Sequence, residues 1–326
     1  MRKIWPTLMS SRKKILFIGG SLNQTTMMHQ IAQALPEHDC FFSGFYADGL
    51  ARWLAGRGML DKTILGGKHL KGTMEYFSEN KLPVDHRGEA HDYDLVLIGT
   101  DTIVPRNILG KKVILVQEGM MVPEDWRYRL VRHFGLPRYF ANTSTTGLSH
   151  CYVRFCVASE GFRELFAAKG VDPEKIAVTG IPNFDHAAQY LDNDFPHHNY
   201  VLAATSALRE SWNYENRLAY LKKVVRIAEG RPIIFKLHPN ERLERATREI
   251  ERIAPGNLIY SSGNTNHMIA NCDALVTKFS TVLMVALALD KPVYSDLSQE
   301  ELVKLKPIQN GGTSALRIAD ICREYL

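Results

Sequence analysis

Two segments far apart in the chain carry the side chains best suited to chemistry. One is LVQEGMM around Glu118; the other is IIFKLHPNE around His238, followed by KFSTVLMVALAL with Ser280 and Thr281. Each includes an apolar run of the kind that forms a buried strand, ending where polar side chains and bare backbone meet a ligand. A carboxylate at such an end can take a proton from a hydroxyl nucleophile. An imidazole and a pair of hydroxyls can donate hydrogen bonds to a phosphate. The combination predicts transfer of a group away from a nucleotide.

Each residue also has a plainer reading. Gly119 after Glu118 lets a substrate approach the backbone, yet a carboxylate there can equally cap the following loop. Asp101 and Thr102 follow the run DLVLIG, where Asp101 would be a second candidate catalytic carboxylate, holding an acceptor or a sugar hydroxyl. His238 precedes Pro239, which keeps it extended and able to reach a phosphate oxygen; a lone histidine is more often structural. Ser280 and Thr281 open an apolar helix whose free N–H groups would add to a phosphate site, although Ser and Thr favour N-caps whatever the function. Thr205, Ser206 and Arg209 leave the strand YVLAATS, where hydroxyls and a guanidinium would bind phosphate, or Arg209 would be merely solvated. FIGGSLNQ lacks the G-x-G-x-x-G spacing, and no acidic residue ends the next strand, CFFSGF. A dinucleotide is therefore disfavoured, and the two glycines would give an acceptor room. His197 and His198 beside Asp192 and Asp194 read as solvated linker side chains rather than metal ligands.

These ends are positioned by apolar runs alternating with helix-like segments, the pattern of a mainly parallel sheet covered by helices. The alternation runs from KKILFIGG to CYVRFCVAS, stops in the Pro-, Asp-, Asn- and His-rich stretch VDPEKIAVTGIPNFDHAAQYLDNDFPHHNY, and restarts at YVLAATS. At 326 residues, two domains are expected. They are drawn at 1–181, the acceptor side, and 182–326, the nucleotide side. Each would close its own core.

The charge balance of +5 is a modest bias toward anionic partners. Two clusters stand out: the N-terminus (Arg2, Lys3, Arg12, Lys13, Lys14 and Trp5) and DWRYRLVRHFGLPRYF. They are solvated faces or a surface for lipid headgroups or a polyanionic acceptor. The five cysteines include no CxxC and mostly sit in apolar runs, which implies reduced thiols and a cytoplasmic protein. Neither a signal peptide nor a membrane span is expected.

VTGIPNFD, FKLHPNE and CDALVTKFSTVLMVALALDKPVYS together resemble the second half of GT-B fold glycosyltransferases and of the non-hydrolysing UDP-N-acetylglucosamine 2-epimerases. QEG, HP and ST are similar to motifs of bacterial sialyltransferases and capsule Kdo transferases. The resemblance implies an α/β protein of two Rossmann-like domains facing across a cleft, with the last helix, near Ile318 and Ile321, crossing back onto the first. Glu118 would be the catalytic base; His238, Ser280 and Thr281 would contact the donor phosphate. Gln117 departs from the family's first acidic residue, and Val285 stands where many members keep a glutamate for the donor ribose. TSALRES keeps Arg209 but lacks the epimerase histidine. The expected activity is therefore sugar transfer from a nucleotide-sugar donor to a glycan or lipid-linked hydroxyl acceptor, in surface glycan biosynthesis. It would be inverting and need no metal or other cofactor. A peripheral contact with an anionic membrane is expected, and nucleic acid is not. The alternatives are a sugar-nucleotide 2-epimerase and a non-catalytic nucleotide-sugar-binding protein.

Overall fold

The computed structural model describes residues 12–61, 63–211 and 214–326. Arg2, Lys3 and Trp5 of the N-terminal cluster lie outside them. In the first half, β1 (Lys14–Gly19), α1 (Leu22–Gln33), β2 (Asp39–Gly44), α2 (Gly49–Gly56), α3 (Gly67–Glu79), β3 (Leu95–Ile98), β4 (Val113–Val116), α4 (Trp126–Phe134), β5 (Arg154–Val157), α5 (Glu160–Ala168) and β6 (Ile176–Val178) follow one another. The second half comprises β7 (Val201–Ala204), α6 (Arg217–Ala228), β8 (Ile233–Lys236), α7 (Leu243–Ile253), β9 (Leu258–Tyr260), α8 (Thr265–Asn271), β10 (Ala274–Val276), α9 (Val282–Ala288), β11 (Val293–Tyr294), α10 (Gln299–Lys304) and α11 (Ser314–Glu324).

The strands form two parallel sheets, ordered β2-β1-β3-β4-β5-β6 and β11-β10-β7-β8-β9. Every residue of β3 and β4 is buried, as parallel strands covered on both faces require. The strand order reverses between β1 and β3 and between β7 and β10. The carboxyl ends beside such switch points are where ligands sit in open α/β sheets. This is the α/β architecture of two Rossmann-like domains.

Two details differ from the sequence reading. Ile176–Val178 falls in the stretch read as a junction, yet it pairs with β5 as the edge strand β6, with Phe155 opposite Ile176. Three apolar residues among Pro, Asp and Lys carry too little periodicity to be seen without that partner. The expectation of two separate cores is also corrected. One buried cluster joins the first sheet to residues such as Tyr200, Leu202, Ile234 and Met284, while a smaller cluster lies under α6 and α7. Helix α11 adds Ile318 and Cys322 to the shared cluster. Its Arg323 side chain donates from Nε to Glu37 Oε1 at 2.7 Å and from Nη2 to Ala34 O at 2.8 Å. The chain end thus fastens onto the first half.

Candidate active site

Beyond β4 the backbone is held by Gln117, whose buried amide donates from Nε2 to Gly119 O (3.0 Å) and accepts from Ala158 N at Oε1 (2.9 Å). A carboxylate at 117 has no proton to donate to that carbonyl at neutral pH, which accounts for glutamine here. The next side chain, Glu118, is thereby directed at the start of α1. Its Oε1 accepts from Ser21 Oγ at 2.6 Å and its Oε2 from Gln24 Nε2 at 2.5 Å. Ser21 simultaneously caps α1 by accepting from Gln24 N. The Gln24 side chain crosses the end of β3, where a Cβ on Gly99 would come within 2.9 Å of Gln24 Cγ. Glycine at 99 therefore leaves the path open to Glu118.

Burial raises the Glu118 pKa above the ordinary carboxylate value; the hydrogen bonds from Ser21 and Gln24, and positive charge at His69, oppose that rise. A raised pKa moves a carboxylate toward the range useful to a general base. The following residue, Gly119, faces the second half of the chain. A Cβ built there would stand 2.6 Å from Thr281 Cγ2.

His238 lies just past β8. Its backbone N–H donates to Thr205 Oγ1 (3.2 Å) and Glu241 Oε2 (2.9 Å), and its Nδ1 accepts from Asn240 N at 3.1 Å. A nitrogen that accepts from a backbone N–H bears no proton, so the neutral ring carries its proton on Nε2. The His238 pKa is lowered, first by loss of water on the buried side, with Lys236 and His69 adding to the shift and Glu241 opposing it. The neutral, donor-ready form is therefore favoured.

Ser280 and Thr281 precede α9, but no cap hydrogen bond is made by the Thr281 side chain. Neither hydroxyl, nor the Lys278 ammonium, has a side-chain hydrogen bond or ion pair among the described residues. Both hydroxyls remain free for a ligand, and the N-cap reading is set aside.

Thr205, Ser206 and Arg209 have a different place. They belong to a charged network beneath His238. Thr205 Oγ1 donates to Glu241, Ser206 Oγ donates to Glu215 Oε1 at 3.1 Å, and Arg209 forms two 2.7 Å bonds to Glu249. Arg217, 5% exposed, is paired with Glu215 and Glu241. The Arg209 guanidinium, expected on a phosphate, is thus occupied by a carboxylate, because opposite charges within reach satisfy each other in a poorly solvated site. Asp101 is likewise corrected. It is fully buried, and its two carboxylate oxygens accept from Gly147 N and Ser149 N, each at 2.9 Å. It ties down the 147–149 turn and is not free to take a proton. His197, in the linker, pairs with the Tyr260 hydroxyl at 3.0 Å.

Four residues that serve the site were not assigned from sequence. Ser21 and Gln24 lay within the glycine-rich segment read as room for an acceptor, and the capping pattern at Ser21 was their local signal. Glu241 follows the His-Pro motif by two residues. His69, in GGKHLKG at the start of α3, adds to the electrostatics of both Glu118 and His238.

No protein-family model matches the chain, and no curated protein matches it in sequence. Solved structures do. The chain is similar to S. aureus MnaA bound to UDP, with 12% identity, 96% of each chain covered and a TM-score of 0.59. It is similar to Anabaena HepE in complex with UDP and glucose (13% identity, 96% of this chain and 90% of the other, TM-score 0.54). A UDP-GlcNAc 2-epimerase from Methanocaldococcus jannaschii matches at 14% identity over 95% of this chain and 99% of the other, with a TM-score of 0.53. The fold is of the GT-B type, shared by nucleotide-sugar epimerases and glycosyltransferases.

Proposed function

We propose that the protein is an inverting glycosyltransferase that moves a sugar from a nucleotide-sugar donor to a hydroxyl of a glycan or lipid-linked acceptor. The observation that carries this reading is the placement of Glu118: a carboxylate of raised pKa, held by Ser21 and Gln24, one residue from the point where the first half touches Thr281. In this reading the acceptor hydroxyl gives its proton to Glu118 as its oxygen attacks the anomeric carbon. The sugar–phosphate bond breaks, and the leaving phosphate takes up hydrogen bonds from His238 Nε2, Ser280 and Thr281 beside the Lys278 charge. These donors would stabilise the departing charge without a divalent ion. Direct displacement inverts the anomeric carbon.

The acceptor would approach from an anionic membrane surface. Helix α4 supports this with Trp126, Leu130 and Phe134 exposed on one side, at 65%, 40% and 64%, and exposed Arg129 and Arg132 beside them. Apolar anchors flanked by cations suit the headgroup boundary. Among the described residues no helix is long and apolar enough to cross a membrane.

A thermal-shift screen of CMP, CDP, UDP, GDP and TDP identifies the donor base, because a ligand at about 100 times its Kd stabilises by about 2.7 kcal/mol. Incubation of the matching donor with and without acceptor then distinguishes the activities. Product only with acceptor supports transfer; an isomerised donor without acceptor identifies an epimerase; binding without either product identifies a non-catalytic protein.

A further inference from the structure

Residues 120–124, which continue the chain from Gly119 toward α4, wall an apolar cavity of about 460 Å³. Small-molecule sites commonly span about 300–1,000 Å³. Met120, Met121 and Val122 share its lining with Leu165 of α5, Phe279 and Leu305. Unbranched methionine side chains adapt to a flexible apolar guest. None of the residues assigned above to the acceptor proton or to the donor phosphate lines it.

The charges at its rim are matched among themselves. Lys169 Nζ lies 3.9 Å from Glu124 Oε1 and Lys304 Nζ lies 3.9 Å from Glu164 Oε2, while Glu301 caps α10 by accepting from Ser298 N at 2.8 Å. The apolar walls are therefore the recognition surface. A peptide backbone buried against them would lose its water without gaining partners. A hydrocarbon chain needs none.

A second groove adjoins the first, with Glu124 and Lys169 lining both. Beyond them it is lined by Trp126, Arg129, Leu130, Arg132 and His133 of α4. Arg129 and Arg132 are exposed, and neither makes an ion pair among the described residues. The junction between the two spaces is fixed by Lys169, which donates to Ser144 O and holds its ammonium 5.4 Å from the centre of the Tyr128 ring. Val122 N donates to Thr143 Oγ1 at 3.1 Å, which secures the 120–124 wall. Helices α5 and α10 pack so closely that Gly161 has no room for a Cβ against Lys304 O.

We propose that the two spaces form one site for an anionic membrane phospholipid, with an acyl chain in the apolar cavity and the phosphate at Arg129, Arg132 and His133. The apolar walls select the chain, and the cations without carboxylate partners select the head. Trp126 and Phe134, exposed on the same helix, set the mouth of the site at the headgroup boundary. The proposal rests on the reading of α4 as the membrane-facing helix and deepens it; it does not depend on sugar transfer.

The test uses the full chain without nucleotide or sugar, and calorimetry with dioctanoylphosphatidylglycerol below its micelle concentration. Dioctanoylphosphatidylcholine is the lipid without net charge, and glycerol 3-phosphate is the head alone. Phosphatidylglycerol is expected to bind saturably and about tenfold tighter than phosphatidylcholine, and glycerol 3-phosphate to bind far more weakly than either. Leu165→Trp, at a partly exposed position where a larger side chain fills the cavity, should weaken both lipids about tenfold. Arg129→Ala with Arg132→Ala, both exposed, should weaken phosphatidylglycerol about tenfold and leave phosphatidylcholine unaltered, since only charge-assisted contacts are lost. Absence of saturable phosphatidylglycerol binding, equal affinity for the two lipids, or unaltered phosphatidylglycerol affinity in a folded Leu165→Trp or in the arginine double variant, overturns the proposal. Should Leu165→Trp not fold, the arginine variant decides. Sedimentation with phosphatidylglycerol vesicles separates the two readings: a protein that binds the vesicles but no monomeric lipid keeps α4 as a membrane face and rejects the lipid site.

Discussion

The backbone of Gly119 lies directly against the side chain of Thr281, leaving no room for a Cβ between them. The loop bearing Glu118 and the loop bearing Thr281 therefore press against each other at this point. Gly119→Ala should introduce an overpacking cost of about 1–3 kcal/mol. Combining it with Thr281→Ala should recover part of that loss, because the methyl at Cγ2 is gone. Denaturant unfolding of the single and double variants gives the coupling; strict additivity would show that the two residues do not press on each other.

Glu118→Gln keeps the shape of the side chain and removes the base. Transfer should fall by roughly 100- to 10,000-fold while nucleotide affinity barely changes. Single-turnover rates and a nucleotide titration on the same preparation measure the two quantities. Full activity in the variant would end the general-base assignment.

The raised pKa of Glu118 carries a stability signature whose sign is fixed. Folding favours the protonated carboxyl, so the contribution is fully present below the unfolded pKa and is lost as pH rises through the higher folded value. Unfolding free energies should therefore show a decline above about pH 4.5 that is absent in Glu118→Gln. The same slope in both proteins would place the titration elsewhere.

His238→Ala should weaken nucleotide binding by about 1.5–3 kcal/mol, the range for a hydrogen bond to a charged group. Because its Nδ1 is already an acceptor for Asn240 N, the donor lost is Nε2–H. His238→Gln, which restores an N–H donor, should recover part of the affinity. Calorimetry with the nucleotide found in the thermal screen decides; unchanged affinity in folded His238→Ala removes His238 from the phosphate site.

Glu241 tests the network beneath His238. Its side chain is 1% exposed and paired with Arg217. Glu241→Ala should cost less than the about 3–5 kcal/mol of a fully stranded buried charge, because Arg217 keeps Glu215, while the Thr205 hydroxyl and the His238 N–H lose their acceptor. Glu241→Gln, which keeps an acceptor for those two donors, should cost less still. If denaturant unfolding finds the two variants equally destabilised, the loss comes from the missing charge and not from the hydrogen bonds.

The alternation of apolar runs with amphipathic segments made the parallel α/β plan legible, because strands buried on both faces must be continuously apolar. It also placed Glu118 and His238 at strand ends, since that depends only on the few residues around each. Partner choice was not legible in this way. Arg209 and Asp101 have the residue types of binding and catalysis, yet Arg209 meets Glu249 forty positions away, and Asp101 meets backbone N–H groups 46 and 48 positions away. The strand β6 was missed for the same reason, since only its pairing with β5 defines it. Periodicity is a local property and survives in the sequence. Which charge neutralises which is settled when distant segments are brought together out of water, where an unpaired charge or polar group is costly and the nearest partner wins.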